Sequence, residues 1–257
     1  MPTLTEKIPL SAVIISFQAG STIGNCLDSL SFADEIIVVD SGSTDDTIPI
    51  AQRANARVIQ QAWLGFGRQK QFAIEQAKHD WVLCLDTDEV ISETLSTSIS
   101  NAVKAKSHLA YMMPRCNRFM GRWLKHGEGY PDWSTRLFDR RHARWSEDVV
   151  HEKVITSAEI GKLSGDLLHH SADDLPTYLS KQNTYTSLQA ENLWKAGKSI
   201  SAFKLIASPI LRFFKFYLIR QGFLDGIPGL IHISIGCFNS FIKYAKLYEL
   251  KRKQEDR

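Results

Sequence analysis

Short apolar runs alternate with helical periodicity over the first hundred residues. The runs 11–17 (SAVIISF), 35–39 (EIIVV), 57–59 and 81–85 (WVLCL) read as strands. Between them, Ile23, Cys26, Leu27 and Leu30 recur at helical spacing after a turn at 18–22, with Ser21 or Thr22 as the cap. Pro49 fits the first turn of a second helix, and a glycine loop opens a third over 65–78 with Phe72, Ala73 and Ala77 on its apolar side. A fourth helix at 93–105 leads to a strand at 109–114. Strand and helix thus alternate every two dozen residues or so. This predicts an α/β fold with a mostly parallel, twisted sheet and helices on both faces.

The run 81–85 matters most because of what ends it. Five apolar residues in a row suit a strand buried on both faces, and they lead directly into Asp86, Thr87 and Asp88. Charge is costly inside such a layer, so the carboxylates belong where the strand emerges, at the edge where open α/β sheets collect ligands. If the backbone stays extended, residues two apart point the same way, and Asp86 and Asp88 can face one hard cation, Mg²⁺ or Mn²⁺. A D-x-D alone is more often a strand end followed by a polar turn. Here a second strand delivers Asp40 to the same edge, followed by S-G-S-T-D-D-T. Gly65-Phe66-Gly67 lacks the third glycine of a dinucleotide fingerprint, and no G-x-x-x-x-G-K-[ST] is present. A metal is then the evident way to hold a diphosphate.

Charge changes the picture only through its distribution. The formal net charge of +3 over 257 residues gives no reason to expect nucleic acid as a partner. From Lys198 onward, however, eleven Lys/Arg face four Asp/Glu, so the preceding residues carry −4. Cys26, Cys84, Cys116 and Cys237 are widely spaced and fit a reducing compartment rather than a disulfide framework or a zinc site. The N-terminus lacks a basic region before its apolar run and reads as a first strand, not a signal peptide.

The stretch 115–155 interleaves Phe119, Trp123, Tyr130, Trp133, Phe138 and Trp145 with seven arginines, among them Arg136, Arg140 and Arg141. Short strands fit at 134–139 and 149–155, as an antiparallel appendage beside the sheet edge. Aromatic faces there can stack on sugars and arginines can pair with anionic groups. Glu147-Asp148 and His151-Glu152 offer general-base candidates, and His169-His170 a third metal ligand. A polar-faced helix covers 175–195. Beyond residue 200 the chain is basic, aromatic and apolar, too interrupted for a confident membrane span. It suits a segment lying in a membrane interface; the alternative is packing on the domain or on a second subunit of a homodimer.

Together, S-A-V-I-I-S-F, E-I-I-V-V-D-S-G-S-T-D-D-T and W-V-L-C-L-D-T-D-E resemble the inverting family 2 glycosyltransferases of the GT-A fold, over about residues 10–170. With W-S-T-R-L-F-D-R-R, V-V-H-E-K-V, L-L-H-H-S and the basic tail, the chain is most similar to the bacterial lipopolysaccharide inner-core glucosyltransferases of the WaaE/KdtX kind.

The resemblance implies a catalytic domain at 1–172, with a nucleotide-sugar half at 8–105 and an acceptor half at 106–172, and a helical, membrane-associating extension at 173–257. It implies UDP-glucose as donor, Mg²⁺ or Mn²⁺ as cofactor, and a lipid A-core heptose as acceptor at the cytoplasmic face of the inner membrane. Donor-binding residues would be Ser16, Phe17, Asp40, Ser41, Arg68, Lys70, Asp86 and Thr87, with Asp40 on the uracil. Metal ligands would be Asp88, Asp86 and His170, His169 being the other choice. Glu152 would be the base, with Asp148 second, and Trp133, Arg136 and His151 would meet the acceptor. Rival expectations are transfer to a polyprenyl-phosphate or capsule precursor, or a non-catalytic nucleotide- or RNA-binding module.

Overall fold

A computed structural model describes residues 7–148, 152–171, 174–198 and 201–255. The contact pattern divides the chain into two units. One comprises Met1–Arg115 and Asp132–His170; the other comprises Cys116–Pro131 and Ser171–Arg257.

The first unit is built on a mixed sheet. Its strands are β1 (Ile8–Ser16), β2 (Ala33–Asp40), β3 (Arg57–Gln60), β4 (Trp81–Asp86), β5 (Glu89–Ile91), β6 (Ala110–Phe119, whose last residues pass into the second unit), β8 (Asp132–Asp139), β11 (Ile160–Lys162) and β12 (Leu167–His169). The order is β3-β2-β1-β4-β8-β6-β12-β5, and β11 pairs with β6. Strands β3, β2, β1 and β4 run parallel, as the alternating pattern predicts. Strand β8 is antiparallel to both β4 and β6. The arginine- and tryptophan-rich stretch is therefore partly an internal strand of the main sheet rather than an appendage. A separate antiparallel pair, β9 (Ala143–Trp145) with β10 (Val154–Thr156), has Glu152 two residues before its second strand.

Alternation along the strands divides the core between the two faces of the sheet. Leu10, Ala12 and Ile14 of β1 point one way with Trp81, Leu83 and Leu85 of β4. They pack under α1 (Ile23–Asp28), α2 (Thr47–Arg53) and α4 (Glu93–Ala105). Val13, Val82 and Cys84 point the other way and meet Ala73 and Ile74 of α3 (Phe66–Glu75), with Phe138 and Trp145. β4 is buried from Trp81 to Leu85, as its unbroken apolar run requires. Cys26, Cys84 and Cys116 are buried cysteines, and Cys237 is half-buried.

The second unit joins the hairpin Cys116–Pro131, which includes β7 (Arg122–Trp123), to helices α5 (Leu175–Lys195), α6 (Ala202–Phe213) and α7 (Gly226–Glu255). A π-helical turn (Phe214–Ile219) and a short 3₁₀ turn (Gly222–Asp225) connect α6 to α7. Buried Asp225 accepts the backbone N–H of Lys125 (3.0 Å) and His126 (2.8 Å) and so pins the hairpin to this turn. Arg212 of α6 forks onto Glu128. Among the described residues, no helix is long and apolar enough to cross a membrane.

Candidate active site

The parallel strands deliver their carboxyl ends to one edge, where they line a cleft of about 690 Å³. Ile15, Ser16 and Phe17 come from the end of β1, Ser41 from the end of β2, and Asp86, Thr87 and Asp88 from the end of β4. Six sequence-predicted residues therefore meet in one cavity: Ser16, Phe17, Ser41, Asp86, Thr87 and Asp88. The same wall holds three residues absent from the predicted donor set: Trp63 and Phe66 flanking the glycine loop, and His169. Trp63 and Phe66 meet edge to face at 4.8 Å, and both are half-exposed, as is Phe17. Apolar rings held open to solvent beside carboxylates suit a ligand with a flat apolar part and a charged part. Their signal was W-L-G-F, an aromatic on either side of the glycine that opens α3.

Asp40 works inward. Its Oδ2 accepts the Ser16 hydroxyl (2.8 Å) and the Ser43 hydroxyl (2.6 Å). Its Oδ1 accepts the N–H groups of Gly42 (3.0 Å) and Ser43 (2.8 Å), and the residue is fully buried. A carboxylate offers about four acceptor positions, and all are filled. Asp40 shapes the S-G-S-T loop, where Gly42 takes a positive φ of 97°, and Ser41 is what this strand end shows to the cleft.

Asp86 and Asp88 do not face one cation together. β4 ends at Asp86, and Thr87 and Asp88 form a turn, so the same-side geometry of an extended chain is lost. Asp86 Oδ1 pairs with Lys70 Nζ at 3.0 Å and Oδ2 with Arg136 at 2.6 Å. Both oxygens are engaged by cations, where the resemblance implied a metal. Burial pushes the Asp86 carboxyl up, but the Arg136 and Lys70 charges outweigh it and hold it well below the usual carboxylate range. Asp88 turns instead to His169, with Nε2 3.2 Å from Oδ2. His170 gives its backbone N–H to the Asp88 carbonyl (2.8 Å), so of the two histidines the imidazole at the cleft is His169. Strand alternation explains the exchange: β12 pairs His169 with Glu89 of β5 beside the Asp88 turn.

Asp88 and His169 fit a divalent cation as donor types. Among the described residues no three His, Cys, Asp or Glu side chains gather for a metal. The chain would then supply two ligands, leaving positions for water and phosphate oxygens, as Mg²⁺ and Mn²⁺ commonly require.

Behind the cleft wall runs a chain of seven side chains of alternating sign. Glu152, Lys70, Asp86, Arg136, Glu89, Arg115 and Asp132 pair in sequence at 3.0, 3.0, 2.6, 2.7, 3.6 and 2.6 Å. Glu89 is fully buried and also accepts the Asp86 N–H at 3.0 Å. Burial works against the Arg136 charge, but Asp86 and Glu89 more than restore it and raise its pKa. Arg136 is only 5% exposed, so it is an internal counterion rather than an acceptor-facing arginine. Arg140 donates to the carbonyls of Ile74 and Glu75, and Arg141 pairs with Asp139 and Asp80.

Gly67 lets α3 lie against the loop of Ser146, because a Cβ there would run into the Ser146 carbonyl oxygen. That approach brings Lys70 to Glu152, whose Oε1 it reaches at 3.0 Å. Arg68, expected at the donor, instead points to Glu147 (3.4 Å) and lines a different cavity with Arg144 and Trp145. Asp148 is exposed and Trp133 is 41% exposed, with Lys162 over its ring at 5.0 Å. His151 lies outside the described residues.

A cleft at the parallel strand ends of a mixed α/β unit, with a D-x-D on its rim, is where open α/β sheets collect ligands. The glycosyl transferase family 2 model matches residues 11–158, and the chain belongs to that family. It is a glycosyltransferase of the GT-A fold. An uncharacterized glycosyltransferase of Rickettsia felis is 34% identical over 98% of this chain and 93% of its own length. The lipopolysaccharide core biosynthesis glycosyltransferase LpsC of Rhizobium meliloti is 29% identical over 96% of this chain and 94% of its own. A structure of glucosyl-3-phosphoglycerate synthase from Mycobacterium tuberculosis with Mn²⁺, UDP and glucosyl-3-phosphoglycerate aligns over 75% of this chain and 81% of its own, at 18% identity and a TM-score of 0.49.

Proposed function

We propose that the protein transfers a hexose, glucose from UDP-glucose, onto the heptose inner core of lipopolysaccharide with inversion of the anomeric centre. The observation that carries the donor side is the cleft itself, which sets Asp88 and His169 beside the rings of Phe17, Trp63 and Phe66. The acceptor class is supported by the full-length similarity to LpsC. Glu152 takes the proton of an acceptor hydroxyl as that oxygen bonds to the anomeric carbon. The bond from that carbon to the UDP oxygen breaks, and UDP leaves with the electron pair. One carboxylate base acting in one displacement needs no covalent intermediate. Mg²⁺ or Mn²⁺ on Asp88 and His169 would neutralise charge on the departing diphosphate. Lys70 and Arg136 hold Asp86 in place at the end of β4.

The test is mass spectrometry of purified lipid A-core incubated with the protein, Mg²⁺ or Mn²⁺ and a panel of UDP-sugars. One added hexose from UDP-glucose, lost in Asp88→Ala, is the expected result. Transfer to polyprenyl-phosphate and none to lipid A-core overturns the acceptor.

The reading also places the protein at the cytoplasmic face of the inner membrane as a peripheral protein. In its support, Phe203, Ile206, Ile210, Phe214 and Leu218 form an exposed stripe along α6 and the π-helical turn. The stretch 201–221 holds Lys204, Arg212, Lys215 and Arg220 and no acidic residue. Arg212 is neutralised by Glu128 and Arg220 donates to the Tyr130 carbonyl, which leaves Lys204 and Lys215; a second copy would set these two against their like, whereas anionic lipid complements them. The protein is expected to co-sediment with phosphatidylcholine vesicles only when they contain phosphatidylglycerol, and Ile210→Glu to abolish this. Equal partition to both vesicle types sinks the charge argument.

A further inference from the structure

We propose that Lys70 is a counterion shared between the donor site and the base, so that an arriving nucleoside diphosphate sets the base free. The inference rests on the reading of Glu152 as base. It begins from a geometric oddity: the base candidate is not in the cleft wall. Neither Glu152 nor Lys70 is among the residues lining the cleft; Lys70 is 6% exposed and links Glu152 to Asp86, which does line it.

An ammonium has three N–H donors. Lys70 gives one to Asp86 Oδ1 and one to Glu152 Oε1, each at 3.0 Å, and its Nζ lies 4.9 Å from the centre of the Trp145 ring. The two carboxylates depend on it unequally. Asp86 keeps Arg136 at 2.6 Å if Lys70 turns away. Among the described residues, Lys70 is the one cation paired with Glu152.

A carboxylate committed to an ammonium is a poor proton acceptor, because its lone pair and its charge are both taken up. A diphosphate seated along Asp86, Thr87 and Asp88 brings more than one negative charge beside the carboxylate that Lys70 holds at 3.0 Å, and the lysine stem is flexible. The ammonium then moves toward phosphate, Glu152 loses its partner, and the acceptor proton has somewhere to go. The consequence is order. The base becomes competent only after the donor is bound. A purely structural pair, tethering the Glu152 loop to α3, would impose no such order.

The two readings differ in a binding measurement that needs no turnover. If Glu152 competes with the diphosphate for Lys70, weakening that competitor must tighten UDP. Calorimetric titration with UDP in Mg²⁺ is expected to show Glu152→Gln binding about tenfold tighter than wild type, the scale of one charge-assisted hydrogen bond. The gain should vanish in a Lys70→Met background and persist in Lys70→Arg. Unchanged or weaker UDP binding by Glu152→Gln, with unaltered thermal melting, overturns the proposal. So does an equal gain in Lys70→Met. Should Lys70→Met not fold, the comparison of Glu152→Gln with wild type decides alone. A wild type with no affinity for UDP removes the donor reading and this proposal together; UDP binding without the gain removes only the coupling.

Discussion

Glu152→Gln is expected to lower turnover of hexosyl transfer by about a hundred- to ten-thousandfold, the range for loss of a positioned general base. The substitution keeps the shape of the side chain and an oxygen for Lys70, so melting should change little. What it removes is the capacity to hold the acceptor proton. Asp148→Asn is the control that gives the result meaning. Asp148 is exposed, while Glu152 sits at the end of the ion-pair chain that reaches Asp86. Steady-state rates of UDP release with acceptor present, measured for both variants, separate the two carboxylates. A large loss in Asp148→Asn with near-normal Glu152→Gln would transfer the base to Asp148.

The strand ends were legible in the sequence because burial leaves a one-dimensional trace. An unbroken apolar run that stops at a carboxylate marks both a buried strand and its exit, and 81–88 and 35–40 carry that trace. The cleft positions of Ser41, Asp86, Thr87 and Asp88 follow from it, whereas Ser16 and Phe17 were implied by the family resemblance. Which charge meets which was not legible. Arg136 arrives on β8, antiparallel to β4, and Lys70 arrives on a helix from the other face. Pairing across fifty or eighty residues depends on sheet order, which periodicity does not encode. Arginines in an aromatic-rich stretch therefore looked like ligand-facing groups when several are internal counterions. The surroundings of Asp40 were hidden for a different reason. Its partners Ser16, Gly42 and Ser43 are visible in the sequence, but only the fold shows that together they use every acceptor position. The choice between His169 and His170 turned on strand alternation at a three-residue strand, which a doubled histidine hides.

Arg136→Met is expected to cost about 3 to 5 kcal/mol of folding stability at neutral pH, the scale for removing one partner of a buried ion pair. The methionine fills much of the volume, so the loss comes from charge. Glu89, fully buried, would keep only Arg115 at 3.6 Å, and Asp86 would keep only Lys70. The acid dependence provides a second readout with a definite sign. Asp86 has a lowered pKa in the folded protein, so the unfolded chain takes up its proton at higher pH than the native one. The stability this contributes is whole above the ordinary aspartate value of about 4 and is lost as pH falls through the depressed native value. Without Arg136 much of that depression goes. The gap between wild type and variant should therefore be widest near neutral pH and narrow on acidification below about pH 4. Urea unfolding of both proteins at neutral pH and in this acid range measures it. A gap that stays constant with pH would mean that the methionine acts through packing. Asp86 would then owe its depressed pKa to Lys70, and the alternating chain would be anchored from the α3 side instead of from β8.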